Sequence, residues 1–181
     1  KAALESLGDS AHFYPELEHD FNKKNLTIRH LLTHTSGLKA HEKYYEKEGF
    51  YSKDAIIKDI LAQDLIYKPD ERTVYSDLGI ILLLDIIEKI TGSKIDQLSK
   101  KYFYRPLDMN NTFFNPDVSV KDNIVPTEYD DYFRNRLIQG EVHDENTFIL
   151  DGVSTHAGLF SNAYDIGIFS KMFLNEGVHL G

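Results

Sequence analysis

The sequence predicts a mainly α fold of about five helices with little strand. Helix-capping residues precede several runs in which apolar residues recur at helical spacing, and glycine or proline follows those runs. One run, from Leu78 to Ile87, is apolar nearly all round and predicts a helix at the centre of the structure. The 181 residues are 41% hydrophobic, with 11 Tyr and 11 Phe, which is enough apolar surface for the core of one domain.

The first two helices are predicted from their caps. Thr27 is a good N-cap for the first helix, and Gly37 is a natural stop for it. A second helix is expected after Ser52, because apolar residues recur at helical spacing as far as Leu61 while charged residues occupy the other face. Pro69 then marks a turn.

The next two helices follow each other closely. The central helix is expected to run from about Ser76 to Thr91. Gly92 ends it, and Ser93 can cap a fourth helix that Pro106 terminates.

A long, weakly periodic region separates the fourth helix from the last. We expect short strands in this region at Thr112–Phe114 and Thr147–Leu150. A final helix should start near Ser161 or Asn162 and stop at Gly177.

Composition narrows the classes of partner. The net charge is −9 and the basic residues are scattered, so we expect no nucleic-acid partner, because phosphate would be repelled. No apolar run approaches the roughly 20 residues that cross a bilayer, and residues 1–5 lack the apolar centre of a signal peptide. Without cysteine, thiol chemistry and disulfides are excluded. The chain starts without Met, and we interpret it as part of a longer protein.

Residues 26–38 form a capped helix turn followed by a glycine-terminated loop. Their sequence, LTIRHLLTHTSGL, resembles a signature of the serine β-lactamase and penicillin-binding protein superfamily, in the branch of class C β-lactamases, D-alanyl-D-alanine carboxypeptidases and related esterases. His30 and His34 are four residues apart and could share a helix face, as metal ligands do. A helix with two hydrogen-bonded histidines is the favoured interpretation, because no third ligand has convincing spacing.

Tyr75-Ser76-Asp77, directly before the apolar helix, resembles the Tyr-x-Asn motif of that superfamily. The resemblance implies that the Tyr75 hydroxyl is a general acid and base, that Asp77 contributes to catalysis or to a substrate contact, and that Ser76 contacts substrate. Asp77 stands where Asn is commoner, and an ionised carboxylate can only accept hydrogen bonds. Asp77 is therefore expected to hold the lysine of the nucleophile motif or to face an amine on the substrate.

Residues 152–165 resemble a further element of the superfamily, with the pattern GGLxSTxxDLxxF. The resemblance implies that this glycine-rich loop lines the cleft, which makes His156 and Gly158 predicted substrate contacts. Ser154 and His156 could also form a Ser/His pair, but the sequence shows neither a partner base nor an oxyanion donor for it. His143 and Asp144 are interpreted as a loop contact rather than a metal site.

Two landmarks of the superfamily are not recognised in the sequence. Its Ser-x-x-Lys nucleophile should precede the motif that begins at Leu31, and no serine upstream has a lysine three residues later. Its third motif should follow the last helix by many residues. The resemblance therefore implies the helical subdomain of the β-lactamase/transpeptidase-like α+β fold, with the sheet subdomain largely absent. Residues 1–181 would form a single subdomain, truncated at both ends.

The resemblance implies acyl transfer by the parent protein on a cell-wall peptide, a β-lactam or an ester, in the bacterial cell envelope and without a cofactor. The isolated chain is expected to be inactive. One alternative is a non-catalytic helical binding module. A weaker one is a metal-dependent hydrolase that uses His30, His34, His143 and His156. The sequence does not determine the oligomeric state.

Overall fold

The computed structural model describes residues 13–15, 17, 20, 23–49 and 52–179. The chain divides into two compact units, Lys1–Gly92 and Ser93–Gly181. Each unit is described by itself, and a single subdomain over residues 1–181 stays a prediction.

The first unit contains three α-helices in its described residues: α1 (Ile28–Leu32), α2 (Lys53–Ala62) and α3 (Asp77–Thr91), with a 3₁₀ turn at Tyr44–Glu46. The Thr27 hydroxyl caps α1 by accepting from the His30 backbone N–H at 3.2 Å, and the Thr27 N–H donates to His30 Nδ1 at 3.1 Å. These two bonds form a capping box in which a histidine takes the place of the usual Glu or Gln. The predicted first helix is confirmed, but it ends before Gly37.

Helix α3 is the centre of the first unit, as its apolar sequence predicts. Leu78, Ile81, Leu82 and Ile86 are buried, and both α1 and α2 pack against α3. Ser76 caps its start by accepting from the Gly79 N–H at 3.2 Å. At its end, Gly92 has the left-handed backbone (φ 63°) that closes many helices. The start of α3 is therefore fixed both by its cap and by a packed helix behind it.

The buried charged residue of α3, Asp85, has charged and polar partners. Asp85 is buried, and its carboxylate accepts from the Tyr14 hydroxyl at 3.0 Å. The ammonium groups of Lys53 and Lys89 each lie 3.0 Å from it. Burial raises the pKa of Asp85, but the hydrogen bonds and charges of the two lysines outweigh burial and hold it below its ordinary value. The buried carboxylate is thus compensated by two cations.

The second unit combines short helices with two small antiparallel sheets. Its helical elements are α4 (Ile95–Ser99), which continues as a π-helix over Lys100–Tyr104, a 3₁₀ segment at Val118–Asn123, α5 (Glu145–Ile149) and α6 (Ala163–Leu174). Strand β1 (Phe113–Phe114) pairs with β4 (Leu159–Phe160), and β2 (Tyr129–Asp130) pairs with β3 (Arg136–Leu137). In the first sheet Phe113 lies opposite Phe160.

The prediction of a mainly α fold is wrong, because the structure combines helices with two small sheets. The structure is 42% helical and 6% strand, a mixed composition rather than a helical one. Left-handed residues repeatedly turn the chain between residues 105 and 151, among them Asn115 (φ 44°), Asn135 (φ 52°) and Asp151 (φ 60°). Such turns interrupt helices and allow strand pairing between segments distant in sequence.

Two strand predictions have opposite outcomes. The strand at residues 112–114 is confirmed as β1, whereas the one at Thr147–Leu150 is wrong because this segment lies mostly in α5. The Asp144 carboxylate caps α5 by accepting from the Thr147 N–H at 2.6 Å, and this local cap outweighs the β propensity of the segment.

Among the residues that the structure describes, no helix has both the length and the apolar character that a membrane crossing requires.

Candidate active site

Tyr75 lies immediately before the cap of α3 and points its phenol to solvent. Its exposed fraction is 67%, although the following residue, Ser76, is only 1% exposed. The Tyr75 ring lies against the imidazole of His34, with ring centroids 4.4 Å apart and planes tilted by 34°. A fixed backbone therefore carries an accessible hydroxyl group, which is the arrangement that a general acid or base requires.

The backbone N–H and the hydroxyl of Ser76 both form hydrogen bonds within the protein. Its backbone N–H donates to His34 Nδ1 at 3.1 Å, and its hydroxyl donates to the Lys39 carbonyl at 2.6 Å while accepting from the Gly79 N–H. These contacts use the hydroxyl in local structure. A substrate contact for Ser76 stays a prediction.

Asp77 is the first residue of α3, where a carboxylate interacts favourably with the helix dipole. Its Oδ2 lies 3.1 Å from Nδ1 of His41, and its backbone N–H donates to the Ala40 carbonyl at 2.9 Å. The partner that the structure gives Asp77 is therefore a histidine, which the sequence did not indicate. The pair is partly open to solvent, so the Asp77 carboxylate is partly accessible.

One match to the nucleophile pattern was missed because it lies inside the first motif rather than upstream. Ser36-Gly37-Leu38-Lys39 reads Ser-x-x-Lys. Ser36 is buried and its hydroxyl accepts from the Leu38 N–H at 3.3 Å. Gly37 has φ 84°, and a Cβ there would lie 2.1 Å from the Tyr67 carbonyl oxygen. The segment is a tight turn rather than a helix, so Ser36 and Lys39 do not share a helix face.

In the second unit, His156 joins two side chains that the sequence did not link. Its Nδ1 lies 2.7 Å from the Ser154 hydroxyl oxygen, and its Nε2 lies 3.1 Å from Asp144 Oδ1. The order Ser–His–Asp is that of a hydrolytic triad. Asp144 is the partner that sequence reasoning missed, and the cap pattern Asp144-x-x-Thr147 was the signal that could have placed it beside the loop.

Burial argues against catalysis by this triad. Ser154 is 1% exposed and the His156 side chain 2%, so no substrate carbonyl reaches the hydroxyl. Burial raises the pKa of Asp144, but the hydrogen bonds from His156 and Thr147 and the charge of the imidazole outweigh burial and lower it to about 2. The Asp144 carboxylate is therefore ionised at neutral pH, and it ties the glycine-rich loop to the start of α5.

Gly158 occupies a position that only glycine fits. Its φ is 103°, and a Cβ there would lie 2.6 Å from the Gly152 carbonyl oxygen. Gly158 directly precedes β4, so the close approach sets how the loop enters that strand. Substrate contacts of His156 and Gly158 stay predictions.

The histidines predicted as alternative metal ligands have other partners. His30 Nε2 lies 3.0 Å from an Asp70 oxygen, and His143 Nε2 lies 3.2 Å from a Glu128 oxygen. His34 lies beyond the end of α1 with φ 58°, so it does not continue the helix face of His30. Within the described ranges, no group of three or more His, Asp or Glu residues could hold a metal ion.

The predicted site residues thus form two groups. Tyr75, Ser76 and Asp77 are brought together at the start of α3 in the first unit, and His156 and Gly158 belong to the loop of the second. A separate cavity of about 330 Å³ in the second unit is lined by residues of the α4 region and of the segment that leads into β1, and no predicted site residue lines it.

The chain has sequence relatives among bacterial proteins. An N-acetylmuramyl-L-alanine amidase of Bacillus subtilis (strain 168) is 35% identical over 176 residues, which cover 86% of this chain and 39% of the relative. A proposed D-alanyl-D-alanine carboxypeptidase of Escherichia coli (strain K12) is 35% identical over 173 residues, which cover 86% of this chain and 40% of the relative. The chain therefore spans about two fifths of the length of these relatives.

The fold is similar to that of the D-amino acid amidase from Ochrobactrum anthropi SV3, solved with L-phenylalanine amide. The TM-score is 0.68 at 18% identity, over 94% of this chain and 48% of that one. The sequence pattern of the family described as Beta-lactamase matches residues 5–181. Since this match includes both the LLTHTSGL segment and the Tyr75 motif, the chain belongs to the serine β-lactamase and penicillin-binding protein superfamily.

Proposed function

We propose that this chain contributes Tyr75 and Asp77 to the active site of a serine hydrolase that cleaves an amide or ester bond. The observation that carries the proposal is the exposed phenol of Tyr75 on a rigid support. Tyr75 is 67% exposed, whereas Ser76 and Leu78 are buried. Members of a serine hydrolase family act by acyl transfer, which needs a group that takes and returns a proton, and an exposed phenol can be that group.

In this mechanism Tyr75 is the general acid and base. An ordinary phenol has a pKa of about 10, so proton acceptance near neutral pH needs positive charge close to the oxygen. The phenolate would remove the proton of the serine hydroxyl as the serine attacks the carbonyl carbon. The phenol would then give that proton to the leaving amine or alcohol. Water would hydrolyse the acyl-enzyme by the reverse sequence of proton transfers.

Asp77 is assigned to substrate recognition in the proposal. A carboxylate accepts hydrogen bonds only, so it suits a donor such as a substrate ammonium or amide N–H. Nδ1 of its partner His41 lies 3.1 Å from one carboxylate oxygen, which leaves the other oxygen for a ligand. This arrangement differs from an Asn, which would offer the substrate a donor as well as an acceptor.

The substrate class and location rest on the relatives and are part of the proposal. The similar proteins carry the names of an N-acetylmuramyl-L-alanine amidase and a D-alanyl-D-alanine carboxypeptidase, both of which describe cleavage of peptidoglycan components. We therefore place the parent protein in the bacterial cell envelope, with a cell-wall peptide, a β-lactam or a small ester as substrate.

The serine nucleophile is proposed to lie outside residues 1–181. Ser36, which matches the letters of the nucleophile motif, is buried in a turn. The purified 181-residue chain should therefore show no serine-dependent turnover of nitrocefin or of a p-nitrophenyl ester. Turnover that is lost on treatment with a serine-directed acylating reagent would contradict this part of the proposal.

The catalytic role of Tyr75 is tested in the natural protein that contains this chain. Hydrolysis of a D-alanyl-D-alanine peptide and of a p-nitrophenyl ester is measured for wild type and Tyr75→Phe. We expect kcat to fall at least 100-fold with the substitution. If Tyr75→Phe leaves kcat intact, the assignment is wrong. Peptide binding without turnover in the wild type would instead support the non-catalytic binding module.

A further inference from the structure

One residue, His34, contacts three consecutive residues around the candidate acid and base. Its backbone carbonyl accepts from the Val74 N–H at 3.0 Å. Its ring Nδ1 accepts from the Ser76 N–H at 3.1 Å. Its imidazole ring lies against the ring of Tyr75, with 4.4 Å between centroids. His34 thus holds the backbone on both sides of Tyr75 and also the face of the phenol.

The backbone of His34 suggests that its side chain is required there. Its φ of 58° is in the left-handed region, which is uncommon for residues other than glycine. Gly adopts this conformation routinely, and Asn does so occasionally. A strained residue is retained where the surrounding structure or the function needs its particular side chain.

The hydrogen-bond pattern also fixes the state of the ring. Because Nδ1 accepts from the Ser76 N–H, it carries no proton, so a neutral His34 has its proton on Nε2. One bond and one ring contact then define the orientation of the imidazole relative to the phenol. Tyr75 is 67% exposed, and the imidazole ring lies against its ring at 4.4 Å between centroids.

We propose that His34 is the positioning residue of Tyr75: it sets the rotamer of the phenol through ring contact and the course of its backbone through the bonds to Val74 and Ser76. The proposal rests on the proposed function, in which Tyr75 is the acid and base. His34 itself does not contact the reacting atoms. Its effect on catalysis acts through Tyr75, because misplacement of a catalytic group by about 1 Å can cost on the order of 100-fold in rate.

The test uses two variants that tolerate the left-handed backbone. His34→Asn keeps a side-chain acceptor for the Ser76 N–H and removes the ring, whereas His34→Gly removes both. The natural protein that contains this chain is labelled with 3-fluorotyrosine. The ¹⁹F resonance of Tyr75 is assigned by its loss in Tyr75→Phe. The matched control is His41→Asn, which alters the partner of Asp77 and leaves His34 in place.

We expect the Tyr75 resonance to shift and narrow in His34→Asn and in His34→Gly, because the phenol loses its neighbouring ring and gains mobility. The resonance should stay in place in His41→Asn. The thermal midpoint of His34→Asn should remain within a few degrees of wild type, which separates positioning from a general loss of structure. An unchanged Tyr75 resonance in both His34 variants overturns the proposal.

Kinetics of the natural protein distinguish this proposal from the proposed function. His34→Asn should lower kcat about tenfold or more with little change in KM, since substrate still binds while the phenol is misplaced. If Tyr75→Phe retains hydrolysis although the ¹⁹F signal follows His34, the proposed function fails and the positioning role stands. If Tyr75→Phe abolishes hydrolysis and the signal ignores His34, only the positioning role fails.

Discussion

Two histidines of this chain each lie beside a hydroxyl-bearing side chain, yet the two sites differ in access. His34 supports the phenol of Tyr75, which is 67% exposed. His156 binds the hydroxyl of Ser154, which is 1% exposed, and completes a Ser–His–Asp series with Asp144. The second arrangement resembles a catalytic triad more closely in residue type and distance. Only the first presents a reactive oxygen to solvent.

The two sites show that hydrogen-bond geometry alone does not make a side chain catalytic. A nucleophile or base must reach the atom that it attacks or deprotonates, and burial of Ser154 prevents this. The buried series instead satisfies polar groups inside the second unit and links the glycine-rich loop to α5. A buried, fully bonded polar network stabilises one conformation, and this is the role that the geometry of Asp144 supports.

The largest expected effect contrasts the two hydroxyl groups directly. In the natural protein, Tyr75→Phe should lower kcat/KM by about 10²- to 10⁴-fold, because it removes the general acid and base. Ser154→Ala should change kcat/KM less than threefold at a temperature where the variant is folded. The measurement is steady-state hydrolysis of a p-nitrophenyl ester, with circular dichroism to confirm folding. A folded Ser154→Ala variant without activity would reverse the assignment of the two sites.

A second prediction concerns the contribution of the Asp144 carboxylate to stability. Asp144→Ala should lower the free energy of unfolding by about 2–3 kcal/mol, because it removes the cap of α5 and leaves His156 with one bond fewer. Asp144→Asn, which can still cap the helix, should cost less. Urea unfolding monitored by circular dichroism provides the measurement. Equal stability of Asp144→Ala and wild type would show that the buried series does not hold the loop.

The same carboxylate predicts a pH dependence. The pKa of Asp144 is lowered from 3.8 to about 2 in the folded protein. A carboxyl group with a depressed folded pKa adds stability above its unfolded pKa, and this stability is lost as the pH falls through the folded value. The contribution, about 1–2 kcal/mol at neutral pH, should therefore disappear between about pH 4 and pH 2. Urea unfolding of wild type and Asp144→Asn should show a stability difference that shrinks over this window. A difference that stays constant there would contradict the shift.

Local sequence signals predicted much of this structure. Thr27 and Gly92 were identified as helix caps from residue type and spacing, and the apolar pattern placed α3 at the centre. Asp144 was not recognised as a cap, so α5 was interpreted as a strand. The mixed fold depended on pairing between distant segments such as β1 and β4, which no local pattern encodes.

In the candidate site, too, local motifs were predicted and contacts between distant residues were not. The Tyr75 motif was recognised because its residues are adjacent in sequence. The partners His34, for the Tyr75 ring, and His41, for Asp77, were not recognised because each contact spans about 36 to 41 residues of the chain. Solvent access, which distinguishes Tyr75 from Ser154, is set by packing and has no signal in the motif letters.

The smallest expected effect is at the Asp77–His41 pair, which is more exposed to solvent than the Asp144–His156 pair. Asp77 and His41 form a pair that is partly exposed, and such pairs contribute about 0–1 kcal/mol. His41→Asn should therefore change the free energy of unfolding by less than about 1 kcal/mol, well below the effect of Asp144→Ala. Asp77→Asn should be similarly mild in stability, and its effect should appear instead as a higher KM for substrates that carry a free amine, because an amide lacks the negative charge that binds an ammonium group. Urea unfolding and KM for matched amine and acetylated substrates give the two measurements. A loss of stability at Asp77 as large as that at Asp144, with unchanged selectivity between those substrates, would make Asp77 a structural residue and leave Tyr75 as the only reactive group of its motif.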